Sequence, residues 1–179
     1  YVHSAKPNKE SGTDQGGAAN FSKELNIKAV SANSNATGIF VSGAPITDEN
    51  GEVLFTSGQA SVNTSGDTTI VAAGKTASYA LNAEADGQIT VGSTGKTVHL
   101  TGDIVAKNDG VINIAGKTNT INGIVKAVDG GTVNLSGASD AVYNNININS
   151  FVTQGTGSNG SVKLNGGTMD FGTLNNQNL

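Results

Sequence analysis

The tripeptide Gly-Lys-Thr occurs three times, beginning at Gly74, Gly95 and Gly116, and each copy lies 21 residues after the last. A drifted fourth unit opens at Gly137-Ala138-Ser139. No other feature constrains the fold as much. A short unit repeated at a fixed step cannot bury an apolar face alone and must stack on its neighbours.

Aligned on these glycines, the units share apolar columns. The sixth position holds Tyr79, Leu100, Ile121 and Val142; the tenth holds Ala83, Ile104, Val125 and Ile146. The twelfth holds Ala85, Ala106, Ala127 and Ile148. Later come Val91, Ile112 and Val133, then Ser93, Ile114 and Leu135, with Gly92, Asn113 and Asn134 between them. Apolar-polar-apolar alternation is the signature of a strand with one buried face. Apolar residues do not recur at helical spacing, and most runs contain β-branched residues broken by Gly, Asn or Asp. Each unit reads as two or three short strands separated by turns at Asp86-Gly87, Asp109-Gly110 and Asp129-Gly130-Gly131.

Stacked, such units give an all-β, right-handed parallel β-helix with coils of about 21 residues. An antiparallel sandwich or barrel is the alternative, since turns at this spacing suit it too. Residues 1–20, polar and Gly-rich, read as a flexible leader. Residues 21–73 read as an N-terminal cap with irregular first coils. Within them, Gly38–Val41 and Glu52–Phe55 form a hairpin, or a coil with a projecting loop. Residues 74–179 read as the regular coils, truncated at their C-terminal end. Seven or eight coils from residue 21 on would make a rod of about 35 Å. In the last part Val162 follows Val133 by 29 residues, so the turn Ser150–Gly160 carries about eight added ones.

The net charge of −4, with ten Lys and no Arg, excludes the basic footprint of a nucleic-acid partner. Without Cys there are no disulfides, zinc thiolates or thiol nucleophiles. No long apolar run is present to span a membrane as a helix. Gly-Lys-Thr is not a phosphate loop: Thr69, Thr90 and Val111 stand where that loop needs Gly, and no helix follows. Calcium is not expected, because the Asp residues lack a nine-residue step. His3 and His99 have no companion at metal-ligand spacing. Glu84 with Asp86, or Asp103 with Asp109, could be tested as glycosidase carboxylates. Without Trp and with three Tyr, however, sugar platforms are scarce. No cofactor, metal or catalytic residue is expected.

Two segments, Gly110-Val111-Ile112-Asn113-Ile114 and Ile121-Asn122-Gly123-Ile124-Val125-Lys126-Ala127, flank a Gly-Lys-Thr turn. Together they resemble the passenger domains of type V autotransporters of Gram-negative bacteria. The resemblance covers about residues 85–165 and brings no catalytic motif. It implies a right-handed β-helix, secretion, and anchoring at the cell surface through an outer-membrane barrel outside this segment. The expected function is that of a non-enzymatic adhesin serving cell adhesion, self-association or biofilm formation. Its partners would be itself on neighbouring cells, or a host surface protein or glycan. A polysaccharide lyase or tailspike-like depolymerase, or an inert spacer, are the alternatives. The candidate contact loops are Thr47, Asp48, Glu49 and Asn50, and Ser150, Phe151, Thr153 and Gln154, since binding concentrates on loops held by a rigid scaffold. Asn113 over Asn134 is the candidate surface ladder.

Overall fold

The structure, a computed structural model, describes residues 2–3, 17–47, 49–51, 53–55, 59–147, 160–164 and 168–169. Among these residues every regular element is a strand. The chain begins with β1 (Val2–His3), β2 (Ala18–Phe21), β3 (Leu25–Ser31) and β4 (Ala36–Ser42). A short excursion, β5 (Ile46–Thr47) and β6 (Val53–Phe55), precedes β7 (Ser61–Thr64), β8 (Thr68–Gly74) and β9 (Ser78–Glu84). Then come β10 (Gln88–Val91), β11 (Thr97–Thr101), β12 (Asp103–Lys107), β13 (Val111–Ile114) and β14 (Thr118–Val128). The last are β15 (Thr132–Leu135), β16 (Val142–Asn147), β17 (Ser161–Leu164) and β18 (Thr168–Met169).

Pairing sorts these strands into three parallel ladders that the chain visits in rotation. Face I is β2-β7-β10-β13-β15-β17. Face II is β3-β8-β11-β14-β16-β18. Face III is β1-β4-β9-β12-β14. β14 turns the corner from face II to face III without a break, which joins those two faces into one ten-stranded sheet. Antiparallel pairing is confined, among the described residues, to β5 with β6. Stacked parallel strands of this kind are consistent with a β-helix or solenoid-like fold. The antiparallel sandwich or barrel does not describe them.

The interior is filled by residues in register from turn to turn. Ile89, Ile112 and Val133 stack on face I, Ile70, Leu100 and Ile121 on face II, and Leu81, Ile104 and Val125 on face III. All are buried, and they form one continuous cluster. Each full burial of such a side chain is worth about 1.5–3 kcal/mol, so the apolar stack supplies the stability that disulfides cannot.

The repeat needs correction. Between β13 and β15 the register steps by 21 residues, Asn113 opposite Asn134. Between β10 and β13 it steps by 23, Thr90 opposite Asn113. The cause is one corner: Gly92–Lys96 joins β10 to β11, whereas the shorter Ala115–Lys117 joins β13 to β14. The first unit therefore stacks two residues away from the expected columns. Leu81 rather than Ala83 aligns with Ile104, and Val91 rather than Ser93 aligns with Ile114. The Gly-Lys-Thr copies are not equivalent either. Those at Gly95 and Gly116 share the corner between faces I and II, where the Lys117 amide donates to the Lys96 carbonyl at 2.7 Å. The copy at Gly74 ends β8 opposite Ser31, at the corner between faces II and III. Past Gly137 the register slips again: Val142 pairs with Thr118, and Tyr143 takes the buried place.

The strand Val162–Leu164 does fall 29 residues after Val133, as the sequence suggests. Gly38–Val41 stays in the face III ladder, so the irregular region is a coil with a projecting loop, β5–β6, and not a hairpin of those two segments. β1 and the start of β2 lie in the segment read as a leader. Their main-chain bonds to β4 and β7 do not require apolar side chains, so a polar sequence conceals them. Among the described residues face I has six strands, about 25 Å from first to last.

Candidate functional site

The corners from face III to face I fix how the faces meet. Ala85-Asp86, Asn108-Asp109 and Asp129-Gly130 all have positive φ, and a glycine follows each pair. The amides of Gly87, Gly110 and Gly131 donate back to the carbonyls of Glu84, Lys107 and Val128 at 3.0, 3.0 and 2.9 Å. Asp and Asn tolerate the left-handed conformation, which explains the Asp-Gly pairs as turns and not as calcium ligands. Each of these glycines is buried under the carbonyl of the preceding turn, leaving no space for a Cβ.

The outward side chains of face I form two rows. One runs Asn20, Asn63, Thr90, Asn113, Asn134 and then Lys163. Within it, the Asn63 amide donates to Asn20 Oδ1 at 3.0 Å, and Asn134 Nδ2 donates to Asn113 Oδ1 at 2.8 Å. Asn113 Nδ2 reaches Thr90 Oγ1 at 3.3 Å. The other row is Ala18, Ser61, Gln88, Val111, Thr132 and Ser161. Lys163 is the one charged side chain in either row. Every Asn that donates one N–H along the row keeps a second donor and further acceptor capacity for another molecule.

Asn113 and Asn134, singled out from sequence, are thus neighbours in a longer row. Asn20, Asn63 and Thr90 were missed because their steps of 43, 27 and 23 residues have no common period. The local signal was present for two of them: Asn63 and Thr90 each sit third in a four-residue strand, between buried positions.

Charge is placed elsewhere. On face III, Lys107 Nζ lies 2.6 Å from Glu84 and Lys126 Nζ lies 3.2 Å from Asp103. At the corners, Lys96 faces Asp67 at 3.8 Å and Lys117 faces Asp140 at 2.9 Å. Lys117 holds the exposed Asp140 carboxyl below its ordinary value. All four pairs join one turn to the next, and as surface pairs each is worth little. The carboxylates weighed for catalysis, Glu84 and Asp103, are therefore each engaged by a lysine. His99 points outward between Thr69 and Thr120 on face II. Among the described residues no cluster of His, Asp and Glu could hold a metal, and no helix is long and apolar enough to cross a membrane.

Of the candidate loop residues, Thr47 ends β5, and Glu49 and Asn50 are exposed at the tip before β6. Asp48, Ser150, Phe151, Thr153 and Gln154 lie outside the described residues.

Two buried polar groups, Tyr143 and Asn119, went unnoticed in the sequence. Tyr143 is fully buried; its hydroxyl donates to the Ile114 carbonyl at 3.0 Å and accepts from the Gly137 amide at 2.6 Å. Burial raises its pKa above the ordinary 10.0, against the pull of the Gly137 bond. A raised folded pKa means stability that is present below pH 10 and lost as pH climbs beyond it. Tyr143→Phe should cost about 1–3 kcal/mol at neutral pH, because it strands a buried amide and carbonyl. The deficit should narrow in strongly alkaline urea titrations, where the parent alone loses its phenol proton.

Comparison with family models, with curated proteins and with solved structures finds no match for this chain.

Proposed function

We propose that this chain is part of the right-handed parallel β-helix of a bacterial surface adhesin, of the type V autotransporter passenger class. The tightest described turn, 21 residues, is its basic coil. The hand follows the general bias of parallel crossovers. An outer-membrane barrel outside this segment would anchor it, and its role would be non-catalytic: adhesion, self-association or biofilm formation.

The observation that carries the reading is the Asn/Thr row of face I. It spans five successive strands without a charge and keeps hydrogen-bonding capacity on every rung. Such a surface suits many weak bonds to a like surface, so the first partner is a second copy on a neighbouring cell. A host protein or glycan is the other partner chemistry that the row and the β5–β6 loop would serve.

Sedimentation over a concentration series tests this. The expected result is reversible association that persists at high salt, because uncharged contacts are not screened. Replacing Asn113→Asp together with Asn134→Asp should abolish it, since facing copies would then bring carboxylates together. A strict monomer at high concentration would exclude self-association by this segment. Cleavage of an anionic glycan by the purified chain would favour the depolymerase alternative.

A further inference from the structure

Two Asn-Gly pairs lie wholly among the described residues, and the fold treats them oppositely. Asn50-Gly51 stands at the tip between β5 and β6, where both residues are exposed. Gly51 has φ of 83°, with nothing within 4 Å of where a Cβ would be. Asn122-Gly123 lies in the middle of β14. There the Asn122 carbonyl accepts the Gly102 amide at 3.0 Å, and Gly123 is pressed against the Gly102 carbonyl.

An Asn followed by Gly can close on itself. The glycine nitrogen, after losing its proton, attacks the asparagine side-chain carbonyl carbon. A C–N bond forms and ammonia leaves, giving a five-membered succinimide. Water then opens the ring at either carbonyl, to aspartate or to isoaspartate. Closure requires the backbone between the two residues to rotate, and glycine offers no side chain to obstruct it. An open hairpin tip allows that rotation; a strand in which Asn122 pairs with Thr101 and Gly123 with Ile146 does not.

We propose that Asn50 is a site of non-enzymatic deamidation, placed by the fold on the projecting loop, whereas Asn122 is protected by the ladder. The product adds one negative charge beside Glu49, and its isoaspartyl form lengthens the main chain at the turn. The tip of the projecting loop thus changes charge and shape with age while the stacked turns do not. The inference is independent of the proposed adhesive role.

Incubation of the purified chain at mildly alkaline pH, followed by peptide mapping for the one-dalton gain, tests it. Methylation by an isoaspartyl methyltransferase reports the second product. Asn50 should convert at least about tenfold faster than Asn122, which reacts only from a locally opened strand. In denaturing urea the two rates should converge, and Asn50→Gln should remove the isoaspartate signal at the tip. Equal rates in the folded protein, or an unmodified Asn50 when Asn122 has reacted, would overturn the proposal.

Discussion

Gly131→Ala should destabilise the protein by about 3 kcal/mol, at the upper end of what overpacking a tight interior costs. Gly131 is buried at the corner between β14 and β15, directly against the main-chain carbonyl of Ala106 in the turn before. A methyl group cannot be accommodated by rotating a side chain, because the obstacle is backbone. The Thr132 amide would also be pushed off the Gly110 carbonyl, which it meets at 2.9 Å. Gly95→Ala is the matched control. Gly95 has φ of 81° and open space around it, so the substitution brings only left-handed strain of about 1–2 kcal/mol. Because each turn touches only its neighbours, hydrogen exchange in Gly131→Ala should rise first in β12 to β15, with β7 and β8 less affected. Urea midpoints of the two variants measure the difference. Equal losses would show that the glycine column is conformational and not steric.

Asn119→Asp should cost about 3–5 kcal/mol at neutral pH, the range for a buried charge left without its partner. Asn119 is fully buried between Val98 and Tyr143, and its Nδ2 donates to the carbonyls of Gly116 and Val142 at 2.8 and 3.2 Å. Its Oδ1 has no partner. A carboxylate there would set oxygen against two carbonyl oxygens in a site without solvent. Its pKa would rise above the ordinary carboxylate range, so the folded variant would hold its proton more tightly than the unfolded chain. The penalty is therefore smallest below about pH 4 and grows as pH rises through the folded pKa. Comparing urea midpoints of variant and parent at acid and neutral pH reads this directly. A pH-independent gap would contradict the burial.

Much of the fold was legible, because strand alternation is local. Ile104 over Val125, Ile112 over Val133, and Leu100 over Ile121 all follow from a period of two within a unit and 21 residues between units. What misled was the Gly-Lys-Thr repeat itself. Its first copy lies at a different corner, and the equal spacing arises because the corners differ in length. Gly92–Lys96 adds two residues at one corner, while Lys75–Ala77 at another has its counterpart in the single residue Gly102 and then in an unbroken β14. Register is chosen by what the interior must bury, and a corner can absorb residues without moving the core.

The candidate site was legible in part for the same reason. Asn113 and Asn134 share the 21-residue step and so were found as a pair. Asn20 and Asn63 lie across the step of 43 that contains the β5–β6 excursion, and only the three-dimensional register aligns them. Asn119 was concealed by its identity. A polar residue at an alternating position reads as outward, yet two stranded carbonyls inside the corner need its amide. Tyr143 was concealed by a slip of register that the preceding Val142 made plausible.

Residues far apart in sequence share one outward row, with one strand spacing per rung. Pairs of spin labels on face I measure that spacing. With one label at Asn20, the second label at Asn113 and then at Asn134 should give mean distances of about 14 and 19 Å, one strand spacing apart. The row predicts that increment although the second site lies 21 residues further along the chain. Distances that fail to grow by one strand spacing between those sites would contradict the stacked ladders, and with them the proposed adhesive face.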